Sequence, residues 1–186
     1  MALTREEAVE LLQEHVKNER MLNHCVATEA VLMALAEKLG KDREKWGMAG
    51  LLHDLDIELT EADLNVHGKA AGRMLQGRGI DPEIIDAIVM HNEIASGKKR
   101  ETEFQHALAA GETITGLIVA TALVYPDKRL ASVKPKSVVK RMKERAFAAS
   151  VNRNIIMECE QIGIPLPEFV EISLSAMTGI ADRIGL

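Results

Sequence analysis

The sequence is short of aromatic residues, proline and cysteine, and each shortage removes possibilities. One Trp, one Tyr and three Phe among 186 residues leave the packing to Leu, Ile, Val, Ala and Met. Five prolines against plentiful helix formers favour an all-α fold. Cys25 and Cys159 form no CxxC pair, which excludes a disulfide framework and a thiolate metal knuckle. They read as reduced structural thiols in a reducing compartment. A basic excess is also missing. The net charge of −5 argues against binding to a nucleic-acid polymer but leaves room for a small phosphorylated ligand. The longest apolar run, Gly116–Val124, is too short to cross a bilayer. The opening Met-Ala-Leu-Thr-Arg-Glu-Glu has no signal-peptide pattern. The expectation is a cytoplasmic protein with no membrane partner. No Ser-His-Asp or Cys-His nucleophile arrangement and no phosphate-cradling glycine loop is evident.

What is present is helical periodicity. The length fits one domain, residues 1–186, folded as a helical bundle with a core region of about 20–125 and later helices at about 137–186. Thr4-Arg5-Glu6-Glu7 is a capping box. A second helix runs to about Leu39 and stops at Gly40. Asp42 can cap a third, which carries Trp46, Ala49, Leu52 and His53. Thr60 to Asp63 is expected to start a fourth, with His67, Ala70, Ala71, Met74 and Leu75 on its inner face. Asp81-Pro82 starts another, and its Ile84, Ala87, Ile88 and His91 share a face. From about Glu103 the pattern continues to just before Pro126, with Gly111 a point where it can be interrupted or kinked. The last helices are expected at 137–162, open to a break near Ala146, and at 167–182. The apolar helices after Pro165 offer a face for a homodimer.

Four histidines, His24, His53, His67 and His91, fall on the apolar faces of four different helices. Asp54 follows His53 directly, and Glu112 lies on a later apolar helix. Burying a histidine and an aspartate side by side costs several kcal/mol unless something satisfies both, roughly 2–7 per polar group. A divalent cation would satisfy them, and inward-projecting side chains on facing helices are how bundles build metal sites. A single histidine on an apolar face is more often a hydrogen-bonded core residue. His15 is read that way, as a helix-end cation, and His106 is left out of the set. Asp56 reads as a solvated helix-end carboxylate, with the orientation of a ligand histidine as its alternative.

The order His24, His53-Asp54, Glu112 resembles the HD superfamily of metal-dependent phosphohydrolases. Two further stretches extend the resemblance: His67-Gly68-Lys69-Ala70-Ala71-Gly72, similar to the HDIG-type hydrolases, and Met90-His91-Asn92-Glu93, where such proteins often carry His-His. The stretch Gly111–Ala120 with Tyr125-Pro126-Asp127-Lys128 is similar to a subgroup of HD-domain hydrolases in which Ala-Asp-x-Leu-Thr-Gly is usual. The resemblance implies one metal held by His24, His53, Asp54 and Glu112, and a second held by His67 and His91 with Asp54 bridging. His53 and Asp54 would be the catalytic pair. It implies hydrolysis of a small phosphorylated molecule, a nucleotide before others, as a monoester, diester or anhydride. The nitrogen and oxygen ligands suit Fe, Mn, Ni, Co or Zn. Glu112 stands where the family has aspartate. A metal-binding module without turnover is the alternative. Lys69, Arg73, Lys128 and Arg129 are the candidates for contacting substrate phosphate; the basic run from Lys128 to Arg145 also reads as a solvated charged face.

Overall fold

The computed structural model describes residues 3–186. Met1 and Ala2, which begin the N-terminal stretch discussed above, lie outside the described residues. The fold is all-α, with ten α-helices, short 3₁₀ turns and no strand among the described residues.

Helix α1 (Arg5–His15) opens on the complete Thr4–Glu7 capping box. Helix α2 (Glu19–Leu39) starts at Asn18, whose side chain accepts from the Arg20 and Met21 N–H groups, and ends on left-handed Gly40. Helix α3 (Arg43–Leu52) is capped by Asp42. It lies along α2 at very short range because Gly50 has no side chain. A Cβ there would sit 2.8 Å from the Thr28 carbonyl oxygen and 2.9 Å from the Glu29 nitrogen. Helices α5 (Pro82–Met90) and α7 (Glu103–Leu123) complete the frame, with the short α4 (Lys69–Leu75) packed on α5 and α6 (Glu93–Ser96) following it. Leu32, Leu35, Leu51, Leu52, Ile88, Leu108, Ile114 and Leu117 are fully buried between these helices.

Three expectations about elements are corrected. Residues 60–67 are a chain of turns, and α4 starts only at Lys69. Glu61 and Ala62 take positive φ, which no helix accommodates. Gly111 does not interrupt α7: it lies mid-helix, where a Cβ would come 2.6 Å from Leu32 Cδ2. The segment expected as a helix over 137–162 is α8 (Pro135–Arg141), then turns, then α9 (Arg153–Ile156) running into a 3₁₀ turn at Met157–Ile162. Arg153 replaces the missing helical bonds there, donating to the Ala148, Val151, Glu144 and Phe147 carbonyls. Helix α10 (Leu166–Thr178) packs on α2, α7 and α8 and buries Phe169, Val170, Leu174 and Met177. Much of its apolar surface is therefore used inside the molecule. By length and hydropathy α7 is long and apolar enough to cross a membrane, but most of it is enclosed by the other helices.

Candidate metal centre

The four histidines of the sequence pattern meet around Asp54. His24 is on α2, His53 and Asp54 follow the end of α3, His67 precedes α4, and His91 caps α5. The Nε2 atoms of His24 and His53 are 3.1 Å apart, and those of His67 and His91 are also 3.1 Å apart. Asp54 lies between the two pairs. Its Oδ1 is 3.1 Å from His67, 3.4 Å from His53 and 3.8 Å from His91, and its Oδ2 is 3.6 Å from His24. Glu112, on α7, brings Oε2 to 3.9 Å from His24 Nε2, while the Thr113 hydroxyl donates to its Oε1 at 2.5 Å.

The opposite ring nitrogens are all committed. Nδ1 of His53 faces the Gly50 carbonyl oxygen at 2.8 Å and Nδ1 of His91 faces that of Ile88 at 2.5 Å. A carbonyl only accepts, so these nitrogens carry the hydrogen. Nδ1 of His67 donates to Asp56 at 2.7 Å. For His24 the acceptor is the Thr115 hydroxyl at 2.9 Å, which spends its own hydrogen on the Glu112 carbonyl. With every Nδ1 donating, the neutral rings turn four Nε2 lone pairs onto one space. Lone pairs facing each other at this range repel unless a cation or a proton lies between them. The spacing also suits a cation: nitrogens on adjacent corners around an ion at ~2.1 Å lie about 3.0–3.4 Å apart. Two groups, His24 with His53 and Glu112, and Asp54 with His67 and His91, could each hold a metal ion.

The electrostatics agree. Burial pushes His24 down to about 4 and His91 down to about 3, so both are neutral at pH 7. Burial also acts to raise Asp54, but the surrounding imidazoles, with the hydrogen bond from His67, hold it well below the usual carboxylate range. His67 is driven the other way. Burial disfavours its charge, yet hydrogen bonds to Asp54 and Asp56 carry it up to about 10. Without a metal, a proton on Nε2 thus joins His67 to Asp54. Glu112, desolvated and close to the Asp54 charge, is raised to about 8.

Asp56 is not a solvated helix-end carboxylate. It is fully buried. Besides accepting from His67 through Oδ1, it accepts through Oδ2 from the N–H groups of Gly68 and Ala71, each at 2.8 Å. Gly68 has no side chain to cap α4, and Asp56 does that work from thirteen residues before the helix begins. The same glycine takes φ +85°, and a Cβ there would sit 3.1 Å from the His91 ring. Asn92 secures the loop from the other side, donating to the Leu64 and His67 carbonyls at 2.8 and 3.0 Å.

A cleft of about 700 Å³ opens over the centre. Its lining includes Ile57, Leu64, Asn92 and Glu93 from the segments around α4 to α6, Thr113 and Gly116 from α7, and Ser150, Asn152 and Asn154 from the turns before α9 and from its start. Lys69, Arg73, Lys128 and Arg129 are not among the residues that line this cleft. Lys69 borders a separate depression beside α5, and Arg129 one near the C-terminus. The cations that do line the cleft, Lys99 and Arg100, lie in the polar loop before α7. Arg100 is buried. Its Nη1 donates to the Met90 and His91 carbonyls at 3.1 and 3.0 Å, and its Nε and Nη2 fork onto Glu158 at 2.7 and 2.6 Å. His106 Nδ1 meets the same carboxylate at 2.7 Å. Arg100, Glu158 and His106 were missed by reading the sequence, since no local spacing joins residues 58 and 52 positions apart.

A family model for the HD domain matches residues 21–123, more than half of the chain. No solved structure matches it.

Proposed function

The chain belongs to the HD-domain family, and from that premise we propose that it hydrolyses a phosphoester or phosphoanhydride bond in a small molecule, with a nucleotide the first candidate. The proposed ligands for one or two divalent ions are His24, His53, Asp54, His67, His91 and Glu112. The observation that carries the reading is the uniform commitment of the four Nδ1 atoms, which leaves four Nε2 lone pairs aimed around one carboxylate. Fe, Mn, Co, Ni and Zn all accept such a set. When bound, the ion supplies Lewis-acid polarisation of the phosphoryl oxygen and a water acidic enough to attack at neutral pH. The protein's part is to keep His24 and His91 neutral, to fix each ring through its Nδ1, to place Asp54 between the two pairs, and to keep the reacting end of the substrate at the floor of the cleft.

The test starts with elemental analysis of the purified protein, followed by reconstitution with each of the five metals and a screen against nucleotides and generic phosphodiesters. His53→Ala and Asp54→Ala are expected to abolish metal retention while the far-ultraviolet circular dichroism stays helical. A protein that takes up none of the five metals overturns the reading. A second reading, a metal-dependent binding module without turnover, draws on Glu112: its carboxylate stands 3.9 Å from His24 and is engaged by Thr113. Tight metal and nucleotide binding with no hydrolysis under any metal would favour it.

A further inference from the structure

We infer that the cleft is built for a substrate bearing a single phosphoryl group on a neutral, polar body, and that it selects against di- and triphosphates. The inference rests on the hydrolase reading above and narrows its substrate. A polyphosphate needs cations beyond the metal centre, because each added phosphoryl group brings charge that has to be met. Among the described residues lining the cleft, the cations outside the proposed metal ligands are Lys99 and Arg100. Both are already neutralised by carboxylates of the same wall. Glu158 takes the Arg100 guanidinium through both oxygens, at 2.6 and 2.7 Å, and two backbone carbonyls take its Nη1. The Arg100 side chain is only 3% exposed. Glu93 holds Lys99 at 2.8 Å. Lys99 is at the rim and free to swing, but swinging it onto a phosphate leaves the Glu93 carboxylate behind, so the wall gains no net positive charge.

The remaining polar groups are neutral. Asn152 and Asn154 line the same cleft as His67 and His91, and its size fits an ordinary small ligand. Amides pair with hydroxyl and carbonyl groups, and among the described residues no Phe, Tyr or Trp lines the cleft to stack a base. Recognition therefore falls to the metal centre for one phosphate dianion and to hydrogen bonds for an uncharged body.

The experiment uses the full chain loaded with Mn, at a buffered free-metal concentration, with metal content checked after every titration because polyphosphates chelate. Inorganic phosphate, pyrophosphate and tripolyphosphate are titrated calorimetrically, and turnover is compared for matched nucleoside mono-, di- and triphosphates and a sugar phosphate. Phosphate is expected to bind at least about ten-fold more tightly than tripolyphosphate, one lost charge-assisted contact being a step of that size. kcat/KM is expected to fall with each added phosphoryl group. Glu158→Gln, which releases one face of Arg100, is expected to narrow the gap. Equal or tighter binding of tripolyphosphate, or preferred turnover of the triphosphate, overturns the inference and leaves the hydrolase reading standing. A preference for phosphate with no turnover of any ester supports the inference while removing the hydrolase reading.

Discussion

Asp56 carries several tasks on one carboxylate. It orients His67 through Nδ1, caps α4 through Gly68 and Ala71, and is fully buried while doing so. Burial alone would raise its pKa; the hydrogen bond and charge of His67, with the two N–H donors, hold it below the usual range. Asp56→Ala leaves two buried N–H groups and an imidazole without acceptors, and a loss of about 2–4 kcal/mol of stability is expected from urea denaturation. Metal affinity should fall by roughly 10–100-fold, the usual effect of removing a group that orients a ligand histidine. Asp56→Asn keeps an acceptor oxygen and is expected to fall between the two. A variant with unchanged stability and metal retention would return Asp56 to the solvated carboxylate that its sequence position suggested. That position misled for a physical reason. Two residues after a helix end is a wet place in most chains, and only the return of residues 64–71 over the α3 terminus makes it dry.

At the scale of elements, the site depends on how closely α2 and α3 approach. His24 and His53 meet because Gly50 lets one backbone rest on the other. Gly50→Ala puts a Cβ within 2.9 Å of the α2 backbone at Thr28 and Glu29, atoms that cannot turn aside. The helices must separate, at an expected cost of about 1–3 kcal/mol, and the His24–His53 pair must widen with them. Gly47→Ala on the same helix is the control, since its Cβ meets the Met33 side chain, which can rotate. Thermal denaturation and metal titration of the two variants should separate clearly, with Gly50→Ala losing both stability and affinity. Equal behaviour would mean that the close approach does not position the histidines. The periodic helices α1, α2, α3, α5 and α7 were legible because caps and apolar stripes are local signals. The turns at 53–68 and 142–152 were not. Their conformations are held by contacts from elsewhere in the chain, such as Asn92 on the first and Arg153 on the second. His24, His53 and His91 were legible because each lies on, or at the end of, a helical stripe that faces inward; His67 was found on an expected stripe but lies in the turns before α4, held there by Asp56.

For the molecule as a whole, the Arg100–Glu158 ion pair links the C-terminal third to the metal centre. Glu158, outside the matched family segment, takes Arg100, and Arg100 in turn grips the carbonyls of Met90 and His91 at the end of α5. The pairing spans 58 residues, so nothing local could have announced it. Removing only one partner leaves a buried charge uncompensated, which costs more than the pair itself contributes. Glu158→Ala is therefore expected to lose about 2–4 kcal/mol, somewhat below the range for a fully buried pair because its side chain is 20% exposed. Arg100→Met combined with Glu158→Leu removes both charges at similar volume and should lose less than Glu158→Ala alone. Urea denaturation of the single and double variants, with metal content measured on each, checks both statements. If Glu158→Ala costs nothing, Arg100 is satisfied without it, and the C-terminal third is packed beside the centre rather than fastened to it.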